Sequence, residues 1–187
     1  MTVDDLQTYL APGEHLVWWD APKQGLLFTR RDYLLIPFSL LWAGIAIPGT
    51  TNAFFHQHDI FSLAFATVFG AIGVYFSVGR FALDALLRRN MIYGLTERRI
   101  LILRGWPFAA FSSVDLDDLP AMAIDLGREG RGTIRFDDST GYQYWTGGGG
   151  RGVSGWTPAL SDVPQLLGIA DAKHVYDEIE KRRGKPK

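Results

Sequence analysis

Tyr93, Thr96, Arg98 and Arg99 fall within seven positions of one another. A guanidinium is a planar fork that matches phosphate oxygens, so this set could hold a phosphate or a lipid headgroup. A structural reading competes with that one and is favoured. In it Tyr93 is an inward-facing strand residue, Thr96 is a turn residue that bonds local backbone, and the two arginines are solvated turn charges. Arg80, Arg88 and Arg89, which follow a long apolar run, complete the set of candidate headgroup- or partner-binding cations.

Other chemistry is thinly represented. His56, His58 and Asp59 lie together, but two imidazoles and one carboxylate do not complete a four-ligand metal site. Asp115, Asp117 and Asp118 lack the glycine and distal glutamate of a calcium loop and read as a solvated turn. The tract Gly147 to Gly152 is followed by no Lys-Ser or Lys-Thr pair, so it reads as a flexible loop and not a phosphate cradle. With no cysteine in the chain, disulfides, thiolate nucleophiles and Cys-rich zinc sites are excluded. No spacing suggests a Ser/His/Asp set, and no enzymatic activity, metal or cofactor is expected.

The elements that would position these residues are of two kinds. From Tyr33 to Gly79 the only formal charge is Asp59. Residues 33–49 form an uncharged run of 17 that would reach roughly 25 Å as a helix. Pro37 lies in its first turn and Pro48 where the helix is expected to stop. Ile60 to Gly79 gives 20 uncharged residues, about the thickness of a hydrocarbon core. Its Gly70, Gly73 and Gly79, with Ala64, Ala66 and Ala71, would let two helices approach closely. The expectation is a transmembrane helical hairpin over 33–89, joined by a short outer link. Trp18 and Trp19 suit either a core or the aromatic belt of a membrane interface.

Orientation follows from the cations. Lys23, Arg30 and Arg31 precede the first span, Arg80, Arg88 and Arg89 follow the second, and Thr50 to Asp59 holds no Lys or Arg, so both termini are expected to be cytoplasmic. The polar residues before position 33 are too many for a cleavable signal, so a retained N-terminal segment, 1–32, is expected. Past Gly79, Arg80, Asp84 and Arg88 recur every four residues as one charged face suited to the headgroup layer, opposite Phe81, Ala85 and Leu86.

After Asn90 the apolar runs shorten. Met91–Thr96 and Arg99–Arg104 flank a tight Glu97-Arg98 turn; 108–116, 121–126, 132–137 and 142–146 are further strand-type segments. Met122, Ile124 and Leu126 share one face, as do Ile134 and Phe136, the alternation of a half-buried antiparallel sheet. Asp171 to Arg183 reads as a terminal helix with Asp171 as N-cap and Ala172, Val175, Tyr176 and Ile179 on one face. Residues 90–187 are therefore expected to form a soluble α+β domain. Their 13 Lys/Arg balance 13 Asp/Glu, which argues against nucleic acid as a partner.

The segment Tyr93-Gly94-Leu95-Thr96-Glu97-Arg98-Arg99 resembles the Tyr-x-Leu-Thr-x-Arg-Arg hairpin of bacterial membrane proteins that carry a pleckstrin-homology-like (PH-like) domain. Pro12-Gly13-Glu14 through Pro22 is similar to their N-terminal segment, the two apolar spans to their hairpin, and Gly130 to Phe136 to a mid-domain strand. Ile169 to Ile179 resembles their closing helix. The extended Gly-rich loop departs from the pattern, so loop-borne binding does not carry over. The resemblance implies a seven-stranded PH-like antiparallel sandwich capped by a C-terminal helix, at the cytoplasmic face of a bacterial inner membrane, without established enzymatic activity.

Two functional classes follow. One is a membrane-tethered binding or scaffold module whose domain engages a protein partner or, alternatively, lipid headgroups, with a homo-oligomer also admitted. The other is a membrane enzyme working at the helix ends, disfavoured because the spans carry no ionisable groups.

Overall fold

The computed structural model describes residues 1–26, 32–56, 59–127, 130–136, 157–161 and 163–183. Arg30, Arg31, His58, the expected strand 142–146 and the Gly-rich loop 147–152 lie outside them. The chain divides into two compact units, Met1–Leu27 with Asp84–Lys187, and Phe28–Leu83. These divisions do not follow 1–32, 33–89 and 90–187, because the N-terminal segment supplies a strand to the sheet unit.

The sheet unit is an α+β mix. A short helix α1 (Val3–Gln7) precedes β1 (Leu16–Asp20), which pairs antiparallel with β2 (Met91–Thr96). β3 (Arg99–Arg104) and β4 (Ala110–Asp115) complete a four-stranded sheet in the order β1-β2-β3-β4. β5 (Met122–Leu126), β6 (Gly132–Phe136) and β7 (Gln165–Ile169) form a second antiparallel sheet. The order of β1 and β2 explains why every residue of β2 is buried. On one face Ile92, Leu101 and Leu103 pack against Leu6 of α1. Gly94 leaves the room this needs, since a Cβ there would meet Leu16 Cδ1 at 2.8 Å. On the other face lie Tyr93, Leu95, Ile100 and Ile102, all buried.

The last helix (Ala172–Arg182) packs on β5 and β6 through Ala172, Val175 and Ile179. A Cβ on Gly132 would stand 2.8 Å from Ala172 Cβ, so glycine permits that approach. Asp171 occupies the N-cap position but makes no side-chain cap bond, which corrects the expectation. Its backbone is left-handed at φ 46, away from the extended conformation from which an N-cap side chain reaches back.

The helical unit holds α2 (Asp32–His56) and α3 (Ile60–Val74). The helix past Val74 continues through a π turn, Tyr75–Gly79, into α4 (Arg80–Arg89), of which Asp84 onward belongs to the sheet unit. Pro48 does not end α2, contrary to the sequence reading. One missing N–H removes one ladder bond, and the turns around it hold: Thr50 Oγ1 donates to Ala46 O at 2.7 Å and Thr51 Oγ1 lies 2.9 Å from Pro48 O. Asp59 caps α3, accepting from Phe61 N at 3.1 Å and Ser62 N at 2.9 Å. α2 and α3 pack through small residues. A Cβ on Gly73 would lie 3.3 Å from Ala46 Cβ, and one on Gly70 2.9 Å from Thr50 Oγ1. Both helices, Asp32–His56 and Ile60–Arg89, are long and apolar enough to cross a membrane.

Candidate functional site

The β2–β3 turn brings two of the predicted residues, Thr96 and Arg99, onto Glu14, to which the sequence analysis gave no site role. Thr96 Oγ1 accepts from the backbone N–H groups of Arg98 (3.2 Å) and Arg99 (3.0 Å) and gives its proton to Glu14 Oε1 at 2.7 Å. Arg99 grips the same carboxylate with both arms, Nε to Oε1 at 3.0 Å and Nη2 to Oε2 at 2.8 Å. Ala11 N adds a bond of 2.8 Å. Bonding to Arg99 above all, then to Ala11 and Thr96, holds the Glu14 carboxyl down at about 2, against the opposing effect of burial. Arg99 is thus not a solvated turn charge. Arg98 has an exposed side chain.

The charged face expected from Arg80, Asp84 and Arg88 is also corrected, since all three are buried. In the sheet unit Arg88 Nε bonds Asp84 Oδ2 at 2.8 Å, as spacing of four along a helix allows. Its other nitrogens donate to the carbonyls of Lys23 and of Gly25 (2.6 Å), while Asp84 Oδ1 accepts from Ala159 N at 2.9 Å. The pair thus holds two separate pieces of chain, the segment Lys23 to Gly25 through Arg88 and Ala159 through Asp84. In the helical unit Arg80 Nη1 pairs with Asp32 Oδ1 at 2.9 Å, and its guanidinium lies 4.2 Å from the Phe81 ring centroid. Of the five candidate cations, only Arg89 and Arg98 have exposed side chains.

Tyr93 is fully buried, and its hydroxyl accepts from Leu167 N of β7 at 3.2 Å, tying one sheet to the other. Burial pushes the phenol well above its usual value. Beside β7, a groove is lined by Ala110 and Ser112 of β4, Pro158, Val163 and Leu167. Arg104 borders it but is committed, with Nε on Phe108 O at 2.7 Å and Nη1 on Ala159 O at 2.6 Å. Asp115 accepts from Asp117 N at 3.1 Å, a local turn bond. His56 is exposed, and among the described residues no three His, Asp or Glu side chains gather as a metal would need.

These arrangements fix backbone; none presents a poised nucleophile or a free acid and base pair. Glu14 was visible in the sequence beside the Pro12-Gly13 turn, but nothing in the spacing joins it to Arg99, 85 positions later. The Asp84–Arg88 spacing was legible, and only the packing around it decides that it is buried. No known protein family, curated protein or solved structure matches the chain.

Proposed function

We propose that the chain is a membrane-anchored binding module. The two apolar helices hold it in a bacterial inner membrane with both termini cytoplasmic, and a PH-like domain engages a protein partner at that face. The observation that carries the choice of a protein over a lipid headgroup is the internal use of the arginines. Arg80, Arg88 and Arg99 are each paired with a carboxylate of their own unit. Releasing any of them to grip a phosphate would strand a carboxylate, and for the two buried pairs that loss is severe.

Anchoring rests on the surface of the helical unit. Ile45, Phe55, Ile60 and Phe61 are 69–84% exposed. Water is a poor solvent for so much aligned apolar surface, and lipid is a good one. Orientation rests on the cation bias of the flanks.

A photo-reactive residue in place of Arg98, and separately of Arg89, tests the partner class in native membranes. The expected result is one dominant protein adduct at either position. Adducts with lipid alone would overturn the protein reading and leave headgroup binding through the two exposed arginines. Topology is tested independently in this Cys-free chain: His56→Cys should react with an impermeant thiol reagent on intact cells, and Lys187→Cys should not.

A further inference from the structure

β4 is an end strand of the four-stranded sheet, and its outer edge pairs with no strand among the described residues. Its register with β3 is regular over all six residues, from Arg99↔Asp115 to Arg104↔Ala110. The bond from Leu116 N to Arg98 O, 2.8 Å long, sets the alternation of the antiparallel ladder. Leu116, Val114, Ser112 and Ala110 turn their backbone groups toward β3. Phe111, Ser113 and Asp115 turn theirs outward.

Monomeric proteins usually blunt such an edge with a bulge, a proline or a lysine. The other end strands follow that rule in part. β1 has a register irregularity between Leu16 and Trp18, and the β6–β7 pairing has one between Gly132 and Ile134. β4 reads Ala-Phe-Ser-Ser-Val-Asp, with no bulge, proline or lysine, and its Ala110, Phe111, Ser113 and Asp115 are exposed.

We infer that β4 pairs with β4 of a second copy of this chain, antiparallel about a two-fold axis at Ser113, joining two four-stranded sheets into one of eight. The strand is self-complementary in the register its outward groups require. Ser113 faces Ser113, Phe111 faces the second copy's Asp115, and Ser112 faces the second copy's Val114. Side chains opposite one another then share a face of the sheet, and the outward backbone groups make about six hydrogen bonds between copies. The only charge in the strand meets an aromatic ring. The two Asp115 carboxylates stand four residues apart along the joined strands, about 14 Å, beyond the roughly 8 Å over which charges act at physiological salt. A second copy meets no like charge and brings the same outward-turned groups, so it is the occupant this edge fits. The pairing involves the sheet unit alone and holds whether or not the helices cross a membrane.

The test uses the full chain, purified in mild detergent, and its freedom from cysteine. Residues facing each other on the axis have Cα atoms about 5.5 Å apart, within reach of a disulfide. Ser113→Cys should therefore form a linked dimer on mild oxidation. Phe111→Cys and Asp115→Cys should each fail alone and link when mixed. Ser113→Pro removes an N–H that no bond among the described residues uses, so it should keep the melting temperature and halve the particle mass seen by light scattering. If the proline variant fails to fold, Ser113→Lys, which sets two ammonium groups against each other on the axis, should halve the mass instead. A wild-type chain of monomer mass, or equal linking of position 113 and of either flanking position alone, would overturn the pairing. So would capture of the Ser113→Cys thiol by a different polypeptide, which would make the occupant a foreign strand.

Discussion

The same residue types meet opposite fates in the two units. Ile100, Leu101 and Ile134 are 0% exposed in the sheet unit, whereas Ile45, Phe55 and Phe61 in the helical unit are 69%, 70% and 77% exposed. In the sheet unit apolar side chains point at one another, and polar groups are either outside or locked in pairs such as Glu14–Arg99 and Asp84–Arg88. In the helical unit the small residues Ala46, Ala66 and Gly73 are inside, and large apolar ones such as Ile45, Phe55 and Phe61 are outside. A sheet unit built this way draws its stability from excluding water. A helix pair built this way draws little from it and rests on close contact between backbones, the packing by which helices associate in a medium that accepts hydrocarbon.

The largest effect should come from removing a central ring of the sheet unit. Tyr93→Ala deletes a fully buried aromatic side chain and leaves Leu167 N–H without its acceptor. A loss of about 3–5 kcal/mol is expected, seen as a collapse of the near-ultraviolet circular dichroism melt of the full chain. An unchanged melt would mean that this core does not govern stability.

The helical unit should respond to the opposite kind of change. Ile45→Arg puts a charge on an exposed apolar surface, which in water would be almost without consequence. In a bilayer it should disfavour insertion by about 2.5–3.5 kcal/mol, read as a fall in the carbonate-resistant membrane fraction. An unaffected fraction would show that this face of α2 does not meet lipid.

Glu14→Gln probes the polar frame of the sheet unit. The Glu14 carboxyl titrates at about 2 in the folded chain against an ordinary 4.5, so it binds protons less readily when folded. Its stabilisation is present above the ordinary value and is lost as pH falls from there toward 2. At pH 7 the variant should be less stable by up to about 3 kcal/mol, and the gap should close in acid. A gap independent of pH would assign the loss to packing and not to charge.

Much of the architecture was legible in the residues. Unbroken apolar runs, the 2-residue alternation in Ile134 and Phe136, and the 3.6-residue periodicity of Val175, Tyr176 and Ile179 each express one local rule, and the corresponding helices and strands are present. β1 was hidden, because Leu16 to Asp20 is too short to declare itself as a strand until β2 offers it hydrogen bonds. The fate of the charges was equally hidden. Arg80, Arg88 and Arg99 look alike in the sequence, as cations beside a span or a turn, and an arginine is a surface residue by default. Only the tertiary structure brings Asp32 to Arg80 and Glu14 to Arg99, and only packing removes the water around Asp84 and Arg88. The sequence by itself determines which segments are apolar and with what period, because those properties belong to neighbours along the chain. Which charge is spent inside the fold and which remains to meet a partner depends on residues up to 85 positions away, and the folded chain alone decides it.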